Sequence, residues 1–115
     1  MKVKVIMKKR YQNKKHLDYI HTLDCVCSNS KCNGVIQAHH LLKPFDGVRG
    51  MGMKSNDKNL VPLCLYHHNE LHRMGNEYEF SHKYFGWESQ LKHIAQTHWL
   101  RSPAYETDEK TKKIE

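Results

Sequence analysis

Four cysteines and five of the ten histidines fall between residues 25 and 72 of this 115-residue chain. Cys27 and Cys32 have four residues between them, and Cys64 and His67 have two. Two such pairs on separate turns make a four-ligand set of soft and borderline donors, which suits tetrahedral zinc. Cys25 with Cys32 is the alternative for the first pair. Cys27 is preferred because Cys25 and Cys27 are too close in sequence for both to reach one ion comfortably.

With those four assigned, His39, His40, His68 and His72 remain, and a zinc knuckle has no use for them. His68 and His72 are four apart in a helical stretch, so both rings project from one face and can share an ion. His39 and His40 are adjacent in a strand, so they point to opposite sides. One of the two can join the metal while the other stays free to act as a base. A lone histidine at any of these places would read as structural; four at compatible spacing point to a second metal centre.

The elements that must position these residues follow from pattern. Alternation in Lys2, Val3, Lys4 and Val5 suggests a short extended start, and Leu17, Ile20 and Leu23 mark a helix capped by Asn13. Residues 24–34, DCVCSNSKCNG, have turn composition. Val35 to His39 reads as a strand. Lys43 to Asn59, rich in Gly with Pro44 and Asn56, reads as a long loop of the kind retained for function. Leu60 to Leu63 is a second strand, confined to an edge by Pro62. Leu65, His68, Leu71 and His72 are helically spaced, and Gly75 ends that helix. A last amphipathic helix is expected to carry Trp87, Leu91, Ile94, Ala95 and Trp99 on a core face and to end at Pro103. The remaining YETDEKTKKIE has no apolar face and reads as a frayed tail.

Composition limits the class of molecule. A chain of 13.7 kDa has room for one small domain and a thin core, so a structural metal would supply folding free energy that burial cannot. With 38% apolar residues and a mean hydropathy of −0.82, it contains no stretch expected to span a membrane. The first residues have no apolar core and no cleavage site of a secretory signal, so a reducing, intracellular setting is expected, where clustered cysteines hold metal rather than form disulfides. The net charge of +7 comes from residues 1–17, which carry seven Lys/Arg and no acid. Such an arm is either a solvated tail or a nucleic-acid contact.

Taken together, CNGVIQAHHLL, GMGMKSNDKNLVPLC and LYHHNELH, spanning roughly residues 27–75, resemble the HNH endonucleases of the ββα-metal class, in particular the small phage and prophage type. The resemblance implies an α+β fold in which a ββα-metal core with a zinc knuckle is flanked by an N-terminal and a C-terminal helix. It divides the chain into a basic arm (1–12), a nuclease domain (13–102) and a polar tail (103–115). His40 falls on the family's general base, His39 on the metal-ligand position before it, Asn59 on the central Asn and His68 on the final His, with His72 as the further helix ligand. Cys27, Cys32, Cys64 and His67 match the structural zinc site that many members add. A His at position 39 departs from the frequent Asp, so the catalytic ion is left open among Mn²⁺, Mg²⁺, Ni²⁺ and Zn²⁺.

The implied activity is metal-dependent hydrolysis of DNA phosphodiester bonds. His40 would deprotonate water, and Asn59 would pin the loop and orient the His40 ring. Lys43, Arg49, Lys54 and Lys58, in or beside the long loop, are candidates to meet phosphates. No base-reading helix is evident, because the helix near the site carries ligands. The competing class is a non-catalytic zinc-stabilised DNA-binding module or adaptor of a phage complex, which has no need of His39, His40 and His72. The expected setting is a bacterial cytoplasm with a phage or prophage origin, and the expected state a monomer or weak dimer.

Overall fold

The computed structural model describes residues 10–47 and 53–113. The extended start at Lys2–Val5 and Arg49 therefore lie outside the described residues.

Helix α1 (Lys14–His21) begins where the Asn13 side chain accepts a hydrogen bond from the His16 N–H, as an N-cap should. It buries His16 and Ile20, four apart on one face. A turn-rich knuckle follows, and strand β1 (Ile36–His40) then pairs antiparallel with β2 (Leu60–Cys64) in the register Ile36↔Cys64 to His40↔Leu60. A short 3-10 turn, Asp57–Asn59, delivers the chain into β2. Every residue of β2 is buried. The outer side of that strand offers the Pro62 carbonyl, which accepts the Val26 N–H at 3.0 Å, so the knuckle is sewn to the sheet where proline has no donor of its own.

Helix α2 (Leu65–Met74) leaves β2 directly, and Gly75 closes it in the left-handed conformation at φ 66°. Then come α3 (Glu77–Phe85), α4 (Gln90–Arg101) and α5 (Pro103–Lys113). A two-stranded sheet is marginal alone. Here α1, α2 and α4 all pack on it. The core joins Leu41, Val61 and Leu63 to Leu71 of α2, Phe80 of α3, and Leu91 and Ala95 of α4.

The mixed α+β architecture and the strand, loop, strand, helix order agree with expectation, but three local expectations are corrected. Helix α3 was not anticipated at all. Trp87 is not a core residue: it precedes α4 and is 48% exposed. Pro103 does end one helix, but the polar stretch beyond it forms α5. Proline at a first helical position needs no N–H, the Ser102 hydroxyl accepts the Ala104 N–H at 3.1 Å, and α5 packs on α1 and α4. Among the described residues, no helix is long and apolar enough to cross a membrane.

Candidate metal centres

The knuckle and the start of α2 build the first centre. Cys64 ends β2, His67 sits in the first turn of α2, and the loop supplies two more sulfurs. His67 Nδ1 lies 3.1 Å from Cys64 Sγ and 3.6 Å from the Sγ atoms of both Cys25 and Cys32. One donor from each of these four residues lies within 4.8 Å of the others. Cys27 stands outside this group, which corrects its assignment as a ligand. The reason is a tight turn: the N–H and hydroxyl of Ser28 both donate to the Cys25 carbonyl, and Ser28 takes a φ of 37°. Cys25 thus stands at the start of the turn, next to Val26, whose N–H bonds to β2, while Cys27 occupies the bend beyond.

The donor chemistry fits a structural metal such as zinc. Burial alone would raise the Cys64 thiol, but the N–H groups of His67 and Asn33 and the His67 ring bring it down to about 6, which favours the thiolate that a metal takes. Burial and the neighbouring Cys25 push the thiol of Cys27 up. The His67 ring is wholly buried, edge-on to Tyr66 and Tyr84 at centroid distances of 5.0 and 5.2 Å.

The second centre is made by β1 and α2. His39 Nδ1 lies 3.2 Å from His68 Nε2, which lies 3.1 Å from His72 Nε2. Glu77 of α3 accepts from His39 Nε2 at 2.7 Å, and from the N–H groups of Leu42 and Lys43 at 2.6 and 2.8 Å. Because Glu77 takes the ring proton of His39, Nδ1 brings a lone pair toward the other two imidazoles. Burial, with His39 and His72 beside it, pulls His68 down to about 4, which favours the neutral ring that a metal takes. Lone pairs that converge on one point repel unless a cation joins them, and this set of three ring nitrogens fits a divalent ion.

His40 lies on the other side of the strand path, as adjacent strand residues must, yet it borders the same cleft. That cleft, of about 440 Å³, is lined by Ala38 to Leu42, Met53, Lys54, His68 and His72. His40 Nε2 is 2.8 Å from Asp57 Oδ1, and the Arg10 guanidinium donates to the same oxygen at 2.8 Å. Burial would raise Asp57, but the bonds from His40 and the Asn13 N–H and the charge on Arg10 hold it below the usual carboxylate range.

Asn59 is fully buried and pins the loop: its Oδ1 accepts from the N–H groups of Phe45 and Asp46, and its Nδ2 donates to the Asp46 carbonyl. It does not hold the His40 ring; Asp57 does. Of the lysine candidates, Lys54 lines the cleft. The Nζ of Lys43 sits 5.7 Å from the Tyr78 ring centre, and that of Lys58 sits over Tyr11 and Trp99 at 5.0 and 5.5 Å. Three contributors escaped the sequence reading, Glu77, Asp57 and Arg10, while Cys25, the alternative ligand there, is the one the structure brings into the group. For Glu77 the available clue was an acid just after the Gly75 helix stop; for Asp57 it was an acid two residues before Asn59.

A family model described as "Protein of unknown function (DUF968)" matches residues 4–100. The chain belongs to that family. Over 70 residues it is also 34% identical to the "Uncharacterized protein YdfU" of Escherichia coli (strain K12), a match covering 61% of this chain and 19% of that relative. No solved structure matches the chain.

Proposed function

We propose that this chain is a metal-dependent endonuclease of the HNH type that hydrolyses DNA phosphodiester bonds. The observation that carries the reading is the single cleft in which three imidazoles converge beside a fourth, His40, held by a carboxylate. A DNA-binding knuckle has no use for that arrangement. Phosphodiester hydrolysis does, because water must lose a proton while negative charge builds on the phosphate.

His39, His68 and His72 would hold the catalytic ion, and Cys25, Cys32, Cys64 and His67 a structural zinc. A divalent ion in the first set supplies charge neutralisation at the phosphate and the leaving oxygen. The chain's own residues do the rest. With Nε2–H given to Asp57, His40 has its lone pair on Nδ1 and accepts the proton of the attacking water there. Glu77 keeps His39 in the tautomer that presents Nδ1. Lys54 on the cleft wall meets a phosphate, a contact that positions the backbone without reading sequence. Asn59 holds the loop that forms one rim.

The test is incubation of zinc-loaded protein with supercoiled plasmid and Mn²⁺, Ni²⁺, Zn²⁺ or Mg²⁺, with and without EDTA. Nicked or linear product that EDTA abolishes is expected. A protein that retards the plasmid in a gel but leaves it supercoiled with every ion is a binding module, and the nuclease reading fails.

A further inference from the structure

Asp57 joins three segments that are distant in sequence. It is 6% exposed, and both carboxylate oxygens are engaged: Oδ1 accepts from Arg10 and from His40 Nε2, each at 2.8 Å, while Oδ2 accepts the Asn13 N–H at 2.8 Å. Its own N–H donates to the Tyr11 carbonyl at 3.0 Å. The stretch that runs into α1, the 3-10 turn before β2, and the end of β1 therefore meet at one side chain. Asn56 holds that turn, its side chain accepting the Lys58 N–H at 2.9 Å and donating to Asp46 at 2.9 Å.

Arg10 Nη1 also lies 3.2 Å from His40 Nε2, but Asp57 Oδ1 is nearer at 2.8 Å; an ionised carboxylate can only accept, so the shorter bond puts the proton on Nε2 and leaves the lone pair on Nδ1. A general base needs one defined nitrogen free and its ring at a fixed angle. A buried carboxylate keeps its charge when a cation is held against it, and Arg10 is that cation. We infer that Asp57 is the positioning residue for His40, and that Arg10 completes the site by keeping Asp57 charged and fixed. This rests on the nuclease reading above. It makes residues 10–13 part of the working site rather than a leader to α1.

A staple that merely ties α1 to the sheet would need only acceptors. An amide at position 57 has one acceptor oxygen where the structure uses two, so Asp57→Asn cannot both serve the Asn13 N–H and impose Nε2–H on His40. The experiment uses zinc-loaded full-length protein, Mn²⁺ as the catalytic probe and supercoiled plasmid as substrate. It combines nitrogen NMR of the imidazole tautomers with cleavage kinetics and Mn²⁺ calorimetry.

The parent should show His40 as the Nε2–H tautomer. Asp57→Asn should lose that single tautomer and cut about 10²-fold more slowly, with KM and Mn²⁺ affinity near those of the parent. Should Asp57→Asn not fold, Arg10→Gln carries the test, with kcat down about tenfold at unchanged Mn²⁺ affinity. A cleaving parent in which His40 is Nδ1–H, or in which the folded variant cuts at the parent rate, overturns the role of Asp57 alone. A parent inert with every ion overturns the nuclease reading and the catalytic part of this inference with it, while the tautomer measurement still decides whether Asp57 orients the ring.

Discussion

At the scale of single residues, the two centres differ in donor chemistry, and that difference is measurable. Three thiol sulfurs and one imidazole make a set that holds zinc tightly, so Cys25→Ser should lose the metal and melt well below the parent. Cys27→Ser should keep both zinc and melting temperature. Elemental analysis with a melting curve separates them, and zinc loss from Cys27→Ser alone would restore the assignment first read from spacing. Among the described residues the imidazole centre gathers three ring nitrogens and no oxygen donor, so Ni²⁺ and Zn²⁺ should bind it at least about tenfold more tightly than Mg²⁺. Glu77→Gln should weaken that binding by about 10–100-fold, because His39 loses the acceptor that fixes its tautomer. Calorimetry on zinc-loaded protein measures both. His68 and His72 were legible from the helical period and Cys64 and His67 from their spacing, while the strand period offered His39 or His40 and the HNH resemblance chose His39. Asp57 and Glu77 were not legible, and spacing left Cys25 and Cys27 as alternatives, because a tight turn or a tertiary hydrogen bond decides these roles and neither has a period.

At the scale of elements, the knuckle depends on Gly34. Its φ is +87°, and a Cβ there would lie 2.6 Å from Leu65 Cβ at the head of α2. Gly34→Ala combines left-handed strain of about 1–3 kcal/mol with a clash against the helix that presents His67. It should lower the melting temperature and accelerate zinc loss to a chelator; parent-like behaviour on both would show that the turn is not a support for the centre. Helix α1 makes a different prediction through His16, which is fully buried with neither ring nitrogen partnered. Burial, only partly opposed by Asp57 and reinforced by His98, takes it from 6.5 to about 4. The unfolded chain then binds the extra proton between those values, so stability falls as pH drops through the window, by about 1.4 kcal/mol per unit. His16→Phe should flatten that decline relative to the parent in denaturant titrations at several pH values; an unchanged slope would mean that His16 is not the titrating group. Helices α1 and α2 were readable because apolar periods and caps agree. Helix α3 was not, because its buried face is Glu77, Phe80 and Ser81, two of them polar and satisfied only in the folded molecule: Glu77 by His39 and the 42–43 N–H groups, Ser81 by the Trp87 carbonyl and the Leu91 N–H. Helix α5 escaped for a related reason, since its anchorage rests on Ser102, Ala104 and contacts with α1 rather than on an apolar stripe.

At the scale of the whole molecule, the charge of +7 is concentrated at the chain's start, and Arg10 roots that basic stretch beside His40. Removing residues 1–9 deletes Lys2, Lys4, Lys8 and Lys9 while sparing Arg10. If the arm neutralises phosphates, plasmid affinity should fall, its salt dependence should become shallower by up to about 0.9 per lost contact, and kcat should hold. An unchanged salt slope would make the arm a solvated tail. The central claim is that one cleft divides two tasks between adjacent histidines, and Mn²⁺ calorimetry on zinc-loaded His39→Ala and His40→Ala, read beside plasmid cleavage by the same samples, tests it most directly. His39→Ala should bind Mn²⁺ weakly and recover part of its activity at high Mn²⁺, whereas His40→Ala should bind Mn²⁺ like the parent and cut about 10²–10⁴-fold more slowly. The account is contradicted if His40→Ala loses the ion while His39→Ala keeps it, or if both variants cut at the parent rate.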